Sequence, residues 1–174
     1  MPAKQPSVAY SVTIRAEYPN SVGMLSKITT AIGSAGGDIG AMTITDSGRT
    51  LMRRDITVNA RDSIHANEIV ERVKVTKEVK VLSVSDEVFS KHQRGKIEVR
   101  GRNPIETQND MSLVYSPGVA RVSSAIHENP DSVWSLTSKG NTVAVVTDGS
   151  AVLGLGDIGP AAALPVMEGK VQLF

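Results

Sequence analysis

Two side chains in this sequence have the type and setting for proton transfer, Lys170 and Tyr115. Lys170 closes the run Leu164-Pro-Val-Met-Glu-Gly-Lys170, directly after Gly169 and flanked by Met167 and Val171. Apolar neighbours strip water from an ammonium group, lower its pKa and make it a general base near neutral pH. Tyr115 stands just before the turn Pro117-Gly118, and its phenol can donate a proton. Residue type alone leaves a plainer reading open: most lysines are solvated surface charges, and most tyrosines pack with a hydrogen bond.

A third feature is Gly154-Leu-Gly156-Asp-Ile-Gly159, with the G-x-G-x-x-G spacing of a dinucleotide fingerprint. It lies between a strand-like and a helix-like run, the context in which such a loop cradles a pyrophosphate. Against that use, Asp157 puts a carboxylate inside the loop, and Phe174 arrives before a second strand with a ribose-binding acid can form.

Positioning these groups falls to the second half of the chain. Val119 to Asn129 has the spacing of a helix with Val122, Ala125 and Ile126 inward, and Asn129-Pro130-Asp131 ends it. A short helix is expected over 132–137. Thr142 to Thr147 is a continuous apolar run of strand length, which predicts burial on both faces. Asp148-Gly149-Ser150 turns the chain, 152–155 is a second strand candidate, and Pro160 to Met167 predicts a helix that stops at Gly169. Before this half lies a locally basic stretch, 87–110, with Lys91, Arg94, Lys96, Arg100 and Arg102. It reads as a linker with one short strand, 96–100, leading into the segment 111–174.

Residues 8–86 follow a different grammar. Val8, Tyr10, Val12 and Ile14 alternate as in a strand. Tyr18-Pro19-Asn20-Ser21 is a turn in which Asn20 or Ser21 can cap a helix carrying Val22, Leu25, Ile28, Ile32 and Ala35, ended by Gly36-Gly37. Two strands, 39–45 and 51–60, meet at Asp46-Ser47-Gly48. Asp62 or Ser63 caps a second helix with Ile64, Ile69, Val70 and Val73, and 79–84 is a last strand. The predicted order is β-α-β-β-α-β, an α+β ferredoxin-like arrangement with an antiparallel sheet and both helices on one face.

Composition narrows the function classes. The chain of 174 residues is 40% hydrophobic and 21% charged, with a formal net charge of +1, which gives no general attraction to nucleic acid or anionic lipid. Aromatic residues are 3%, too few for base-stacking platforms. There is no cysteine, so thiolate catalysis, thiolate metal sites and disulfides are excluded. The N-terminal stretch MPAKQPSVAY has no apolar leader region, and no apolar run has membrane-spanning length.

Residues 8–86 resemble an ACT domain, through Tyr18-Pro-Asn-Ser-Val-Gly23, the following Leu25, Ile28 and Ile32, and Gly36-Gly37-Asp38-Ile39. The resemblance implies a regulatory module that pairs and binds a small effector, often an amino acid, at the seam. Its contacts would be Asn20, Ser21, Val22 and Gly23, with Asp38 and Ile39 opposite.

From about Gly95 to Phe174 the chain resembles the start of the malic enzyme family. The matching pieces are Gly95-Lys-Ile-Glu-Val-Arg100, Tyr115-Ser-Pro-Gly-Val-Ala120, Lys139-Gly-Asn141, Val146-Thr-Asp-Gly149, Val152-Leu-Gly-Leu-Gly-Asp-Ile-Gly159 and the run ending in Lys170. The resemblance implies oxidative decarboxylation of malate to pyruvate with NAD or NADP and a divalent metal, magnesium or manganese. It makes Tyr115 the general acid and Lys170 the general base, and assigns the glycine run to the substrate side. Some family members have an arginine for the substrate carboxylate where Ala151 stands here. The family's metal ligands and nucleotide domain come later, so no cofactor or metal residue is expected in this fragment, and the chain alone is expected to be inactive. A homodimer in the cytoplasm, without nucleic-acid or membrane partners, completes the expectation. Two rivals remain: a non-enzymatic ACT effector-binding or dimerisation module, and a phosphate- or nucleotide-binding protein using Gly154 to Gly159.

Overall fold

The alternation near the start of the chain becomes a long strand, β1 (Ser7–Pro19). Val12, Ile14, Ala16 and Tyr18 share one face and are buried, while Thr13, Arg15 and Glu17 lie on the other. The computed structural model describes residues 5–174, and the chain divides after Arg94 into two compact units. Residues 1–4, part of the stretch in which no leader is expected, lie outside the described residues.

In the first unit, α1 (Met24–Ser34) buries Met24, Ile28 and Ile32, four residues apart on one stripe. Its start corrects the expected cap. Neither Asn20 nor Ser21 caps it; the N-cap is Gly23 at φ +88, and no side chain bonds the first turn. Glycine takes that left-handed conformation without a Cβ clash. Gly36, at φ +82, stops the helix as expected. The strands β2 (Asp38–Ser47) and β3 (Leu51–Ala60) form an antiparallel hairpin, closed where the Gly48 amide donates to the Leu51 carbonyl at 2.9 Å. In α2 (Ser63–Lys74) the Asp62 carboxylate accepts from the His65 amide at 2.8 Å, the expected cap. Ile69, Val70 and Val73 are buried, but Ile64 is exposed because it falls off that stripe. The last strand is β4 (Lys80–Asp86).

The sheet order is β2-β3-β1-β4, antiparallel throughout. The even residues of β1, their partners Met52, Ile56 and Val58 on β3, and the buried residues of α1 and α2 make one core. Each fully buried isoleucine in it contributes about 1.5–3 kcal/mol relative to exposure. The opposite sheet face is polar: Arg15 pairs with Asp55, Arg53 with Glu17, and Thr13 with Thr57. A helix absent from the sequence expectation, α3 (Glu87–His92), follows β4 directly, with the Asp86 side chain accepting from the Phe89 amide at 3.0 Å.

The second unit is built from α4 (Gln108–Val114), α5 (Gly118–Glu128), α6 (Val133–Leu136) and α7 (Gly159–Val171). The first of these was expected only as a lead-in; Thr107 and Asp110 start it with a reciprocal capping box. The expected strand at 96–100 is irregular chain, and Thr142 to Thr147 forms no strand and pairs with none among the described residues. An apolar run becomes a strand only when a neighbour takes up its amides and carbonyls. Residues 152–155 form a tight turn closed by a bridge between Val152 and Gly156. The helix α7 passes through Gly169 instead of stopping there, since Gly169 keeps a negative φ and a glycine stop requires the left-handed one. Among the described residues of this unit, only Gly149 and Ala163 are buried.

Candidate functional site

The six effector candidates fall at two places. Asn20, Ser21, Val22 and Gly23 form the loop between β1 and α1. Val22 is fully exposed there. The Asn20 amide side chain donates to the Gly48 carbonyl at 2.9 Å, and its backbone N–H donates to Thr50 at 2.9 Å, so this loop is fastened to the β2–β3 turn. Asp38 and Ile39 begin β2 at the far end of the sheet, where Asp38 accepts from Asn59 at 3.1 Å. The register makes the separation plain: Pro19 pairs with Leu51 at one end, and Asp38 with Asn59 at the other. One copy of the domain therefore does not bring the two groups together. A concavity of about 450 Å³ beside the C-terminal ends of α1 and α2, lined by Ala35, Glu68, Glu71, Arg72 and Val75, contains none of them.

His65 was not singled out by sequence. It is buried, with Nδ1 accepting from the Arg61 amide at 3.1 Å and Nε2 2.7 Å from the Ala35 carbonyl. That arrangement ties the start of α2 to the end of α1. A lone histidine in a polar helix start carries no signal for such a role.

In the second unit, Tyr115 is the C-cap of α4 and is 65% exposed. Its amide donates to Met111 at 2.9 Å and its carbonyl accepts from Val119 at 2.6 Å, so the backbone is held at both sides while the phenol projects to solvent. Lys170 lies in the last turn of α7. The partial desolvation expected of it is absent in this unit: Lys170 is exposed, as is Val171 beside it, although Met167 is half-buried. Among the described residues, no hydrogen bond or ion pair links Tyr115 to Lys170. A cavity of about 570 Å³ next to Tyr115 is lined by Glu106, Asp110, Leu113 and Val114. Another of about 380 Å³ next to Lys170 is lined by Asn141, Val143, Val171 and Phe174, and the two share no residue.

The turn of α7 that carries Lys170 is held by a segment far away in sequence. The Lys96 backbone N–H donates to Glu168 Oε2 at 3.1 Å, the Lys96 carbonyl accepts from Gln172 Nε2 at 3.1 Å, and Lys96 Nζ donates to the Pro165 carbonyl at 2.7 Å. Sequence reading missed this strap; the one signal for it is Gly95, whose φ of +80 aims the chain at Glu168.

The glycine loop answers the nucleotide question through its amides. Leu155 and Gly156 donate to Val152, Ile158 donates to Gly149, and Gly159 donates to Asp157 Oδ1 at 3.3 Å. An anion site needs such N–H groups free and convergent. Four of the six amides from Gly154 to Gly159 are thus bonded inside the loop, which counts against the phosphate-binding rival. Among the described residues, no three His, Asp or Glu side chains cluster in a way that could hold a metal ion. No described helix is long and apolar enough to cross a membrane.

Comparison with known proteins separates the same two parts. Residues 6–83 match the ACT domain family, and residues 94–174 match the family described as malic enzyme, N-terminal domain. An NAD-dependent malic enzyme of Geobacillus stearothermophilus is 51% identical over 95% of this chain and 35% of its own length. NAD-dependent malic enzyme 1 of Bacillus subtilis is 41% identical over 93% of this chain and 37% of its own. A crystal structure of an NAD-dependent malic enzyme from Thermotoga maritima is 49% identical over 49% of this chain and 24% of that one, with a TM-score of 0.46. The chain thus spans little more than a third of the length of the two curated relatives.

Proposed function

The chain carries an ACT domain followed by the N-terminal domain of the malic enzymes, and on that premise we propose that it is the regulatory and malate-side region of an NAD- or NADP-dependent malic enzyme. The observation that carries the reading is the continuous match to whole-enzyme relatives across both units, 51% identical over 95% of the chain.

In this reading the substrate is malate and the product pyruvate. Lys170 takes the C2 hydroxyl proton of malate, and a bound nicotinamide would supply the hydride acceptor. After carbon dioxide departs, Tyr115 returns a proton to C3 of the enol. Both groups reach solvent, so both are open to a substrate. The chain's own residues do not fit the other participants. No described cluster suits a metal ion, and most amides of the glycine loop are bonded within it, so no step is derived through either group. The decisive assay is malate-dependent NAD(P)H production. The 174-residue chain alone is expected to give none, and the chain extended with the remaining two thirds of the Geobacillus relative is expected to turn over. Lys170→Met in that extended enzyme should cost about a hundredfold or more, the usual size of a lost general base. Robust turnover by the chain alone would sink this reading.

The ACT unit is proposed to bind a small effector as a homodimer in the cytoplasm. The edge strand β2 is open along its length, with Met42 and Ile44 about half exposed. Antiparallel pairing of β2 with β2 of a second copy would set Asp38 and Ile39 of one beside Gly48 of the other. Because Asn20 is bonded to Gly48, the uncapped start of α1 would then complete the seam. Uncapped helix amides favour an anionic group such as an amino-acid carboxylate. Sedimentation of the wild type and of Ile44→Lys tests this; equal monomeric behaviour would count against the seam.

A further inference from the structure

We propose that Glu168, Gln172 and the Lys96 backbone form a positioning clamp for Lys170, fixing the rotation of the last turn of α7 so that the proposed base faces the substrate. The inference rests on the reading of Lys170 as that base.

Glu168 and Gln172 are four residues apart and therefore lie on one side of α7. Lys170 is two residues from each, about 200° round the helix, on the other side. The clamp therefore touches none of the space in front of Lys170 but determines where that space is. Both polar groups of the Lys96 peptide are engaged, by Glu168 and by Gln172, each at 3.1 Å. A carboxylate accepting one N–H and a carboxamide donating to the following carbonyl grip the strap at two points, which resists both sliding and rotation. The Lys96 ammonium adds a third bond to the Pro165 carbonyl, one turn back.

A further observation shows how tightly the strap lies against the helix. A Cβ on Gly95 would come within 3.0 Å of Glu168 Oε1, and Gly95 needs φ +80, so the approach uses glycine twice over. The helix has little else to hold it, since Ala163 is its one buried residue. Pro165 also removes an amide from its interior. In a helix so lightly packed, three hydrogen bonds to a remote segment are what define its last turn.

The test uses the extended enzyme described above and the 174-residue chain. In the extended enzyme, Glu168→Ala is expected to lower kcat about 10- to 100-fold, the size of a small misplacement of a catalytic group. The KM for malate should stay within about twofold, because the clamp makes no contact with substrate. Glu168→Gln, whose carbonyl still accepts the Lys96 N–H, should restore most of kcat. In the 174-residue chain, Glu168→Ala should speed hydrogen exchange in the last turn of α7 and leave β1 unchanged. Unaltered kcat in Glu168→Ala, or damage in Glu168→Gln equal to that in Glu168→Ala, overturns the clamp. Full activity in Lys170→Met overturns instead the reading on which the clamp depends, and the two failures are read from different variants.

Discussion

The side-chain amide of Asn20 donates to the Gly48 carbonyl, fastening the loop after β1 to the turn between β2 and β3. Asn20→Asp keeps the size of the side chain but replaces the donor with a carboxylate facing a carbonyl oxygen. The expected loss is about 1 kcal/mol, that of one intramolecular hydrogen bond. It should appear as a lower urea midpoint of the ACT unit. An unchanged midpoint would mean that the tie contributes nothing to folding.

Arg15 grips Asp55 through two bonds of 2.7 Å on the polar face of the sheet. The Arg15 hydrogen bond holds the Asp55 carboxyl below the usual aspartate range, against the opposing push of burial and with some help from the Arg15 charge. A carboxyl depressed in the folded state stabilises the fold above its unfolded pKa, about 3.9. That stability is lost as the pH falls through the depressed value. Wild type and Asp55→Asn should therefore differ most at neutral pH and converge below about pH 4. The partly exposed pair makes the gap small and shrinking with salt. A gap that widened on acidification would contradict the assignment.

Gly37 sits where no side chain fits. A Cβ there would meet Ile32 and Val58 at 2.9 Å and Ile69 at 3.0 Å, all three in the core. Gly37→Ala should cost about 1–3 kcal/mol by overpacking. Thermal unfolding of the ACT unit measures it, and a rise in melting temperature would refute the close approach.

The two units should differ sharply in autonomy. The first has a continuous core of isoleucine, valine and methionine. The second buries only Gly149 and Ala163 among its described residues, and leaves Val99, Leu153, Leu173 and Phe174 almost fully exposed. Residues 5–94 expressed alone should unfold in one cooperative transition. Residues 95–174 alone should show none and should bind a hydrophobic dye. A sharp transition in the second piece would show that it holds a core of its own.

Much of the first unit was legible because its signals are local. Alternation gave β1, the helical spacing of Leu25, Ile28 and Ile32 gave α1 although Val22 lies outside it, Asp62 capped α2 as its type suggests, and Gly36 stopped α1. The cap at Gly23 was not legible, since asparagine and serine are better cap formers and nothing in the letters says that Asn20 is occupied by Gly48. The second unit was harder because its signals depend on partners. Thr142 to Thr147 has the composition of a buried strand, yet composition cannot supply the neighbour. Tyr115 and Lys170 were legible as residue types in named motifs, whereas the strap that holds α7 spans too much sequence for any local pattern to announce it.

The same strap has a consequence for biosynthesis. Lys96 and Glu168 are 72 residues apart, so the hydrogen bond between them closes a long loop late. A chain emerging at about 5–20 residues per second has its first unit free to fold for several seconds before Glu168 exists. The turn bearing Lys170 is thus locked only after the first unit has had time to form. Until then Lys96 must wait with its peptide groups in water, and a nascent chain stalled before Glu168 would carry a finished ACT sheet joined to a segment with nothing yet to grip.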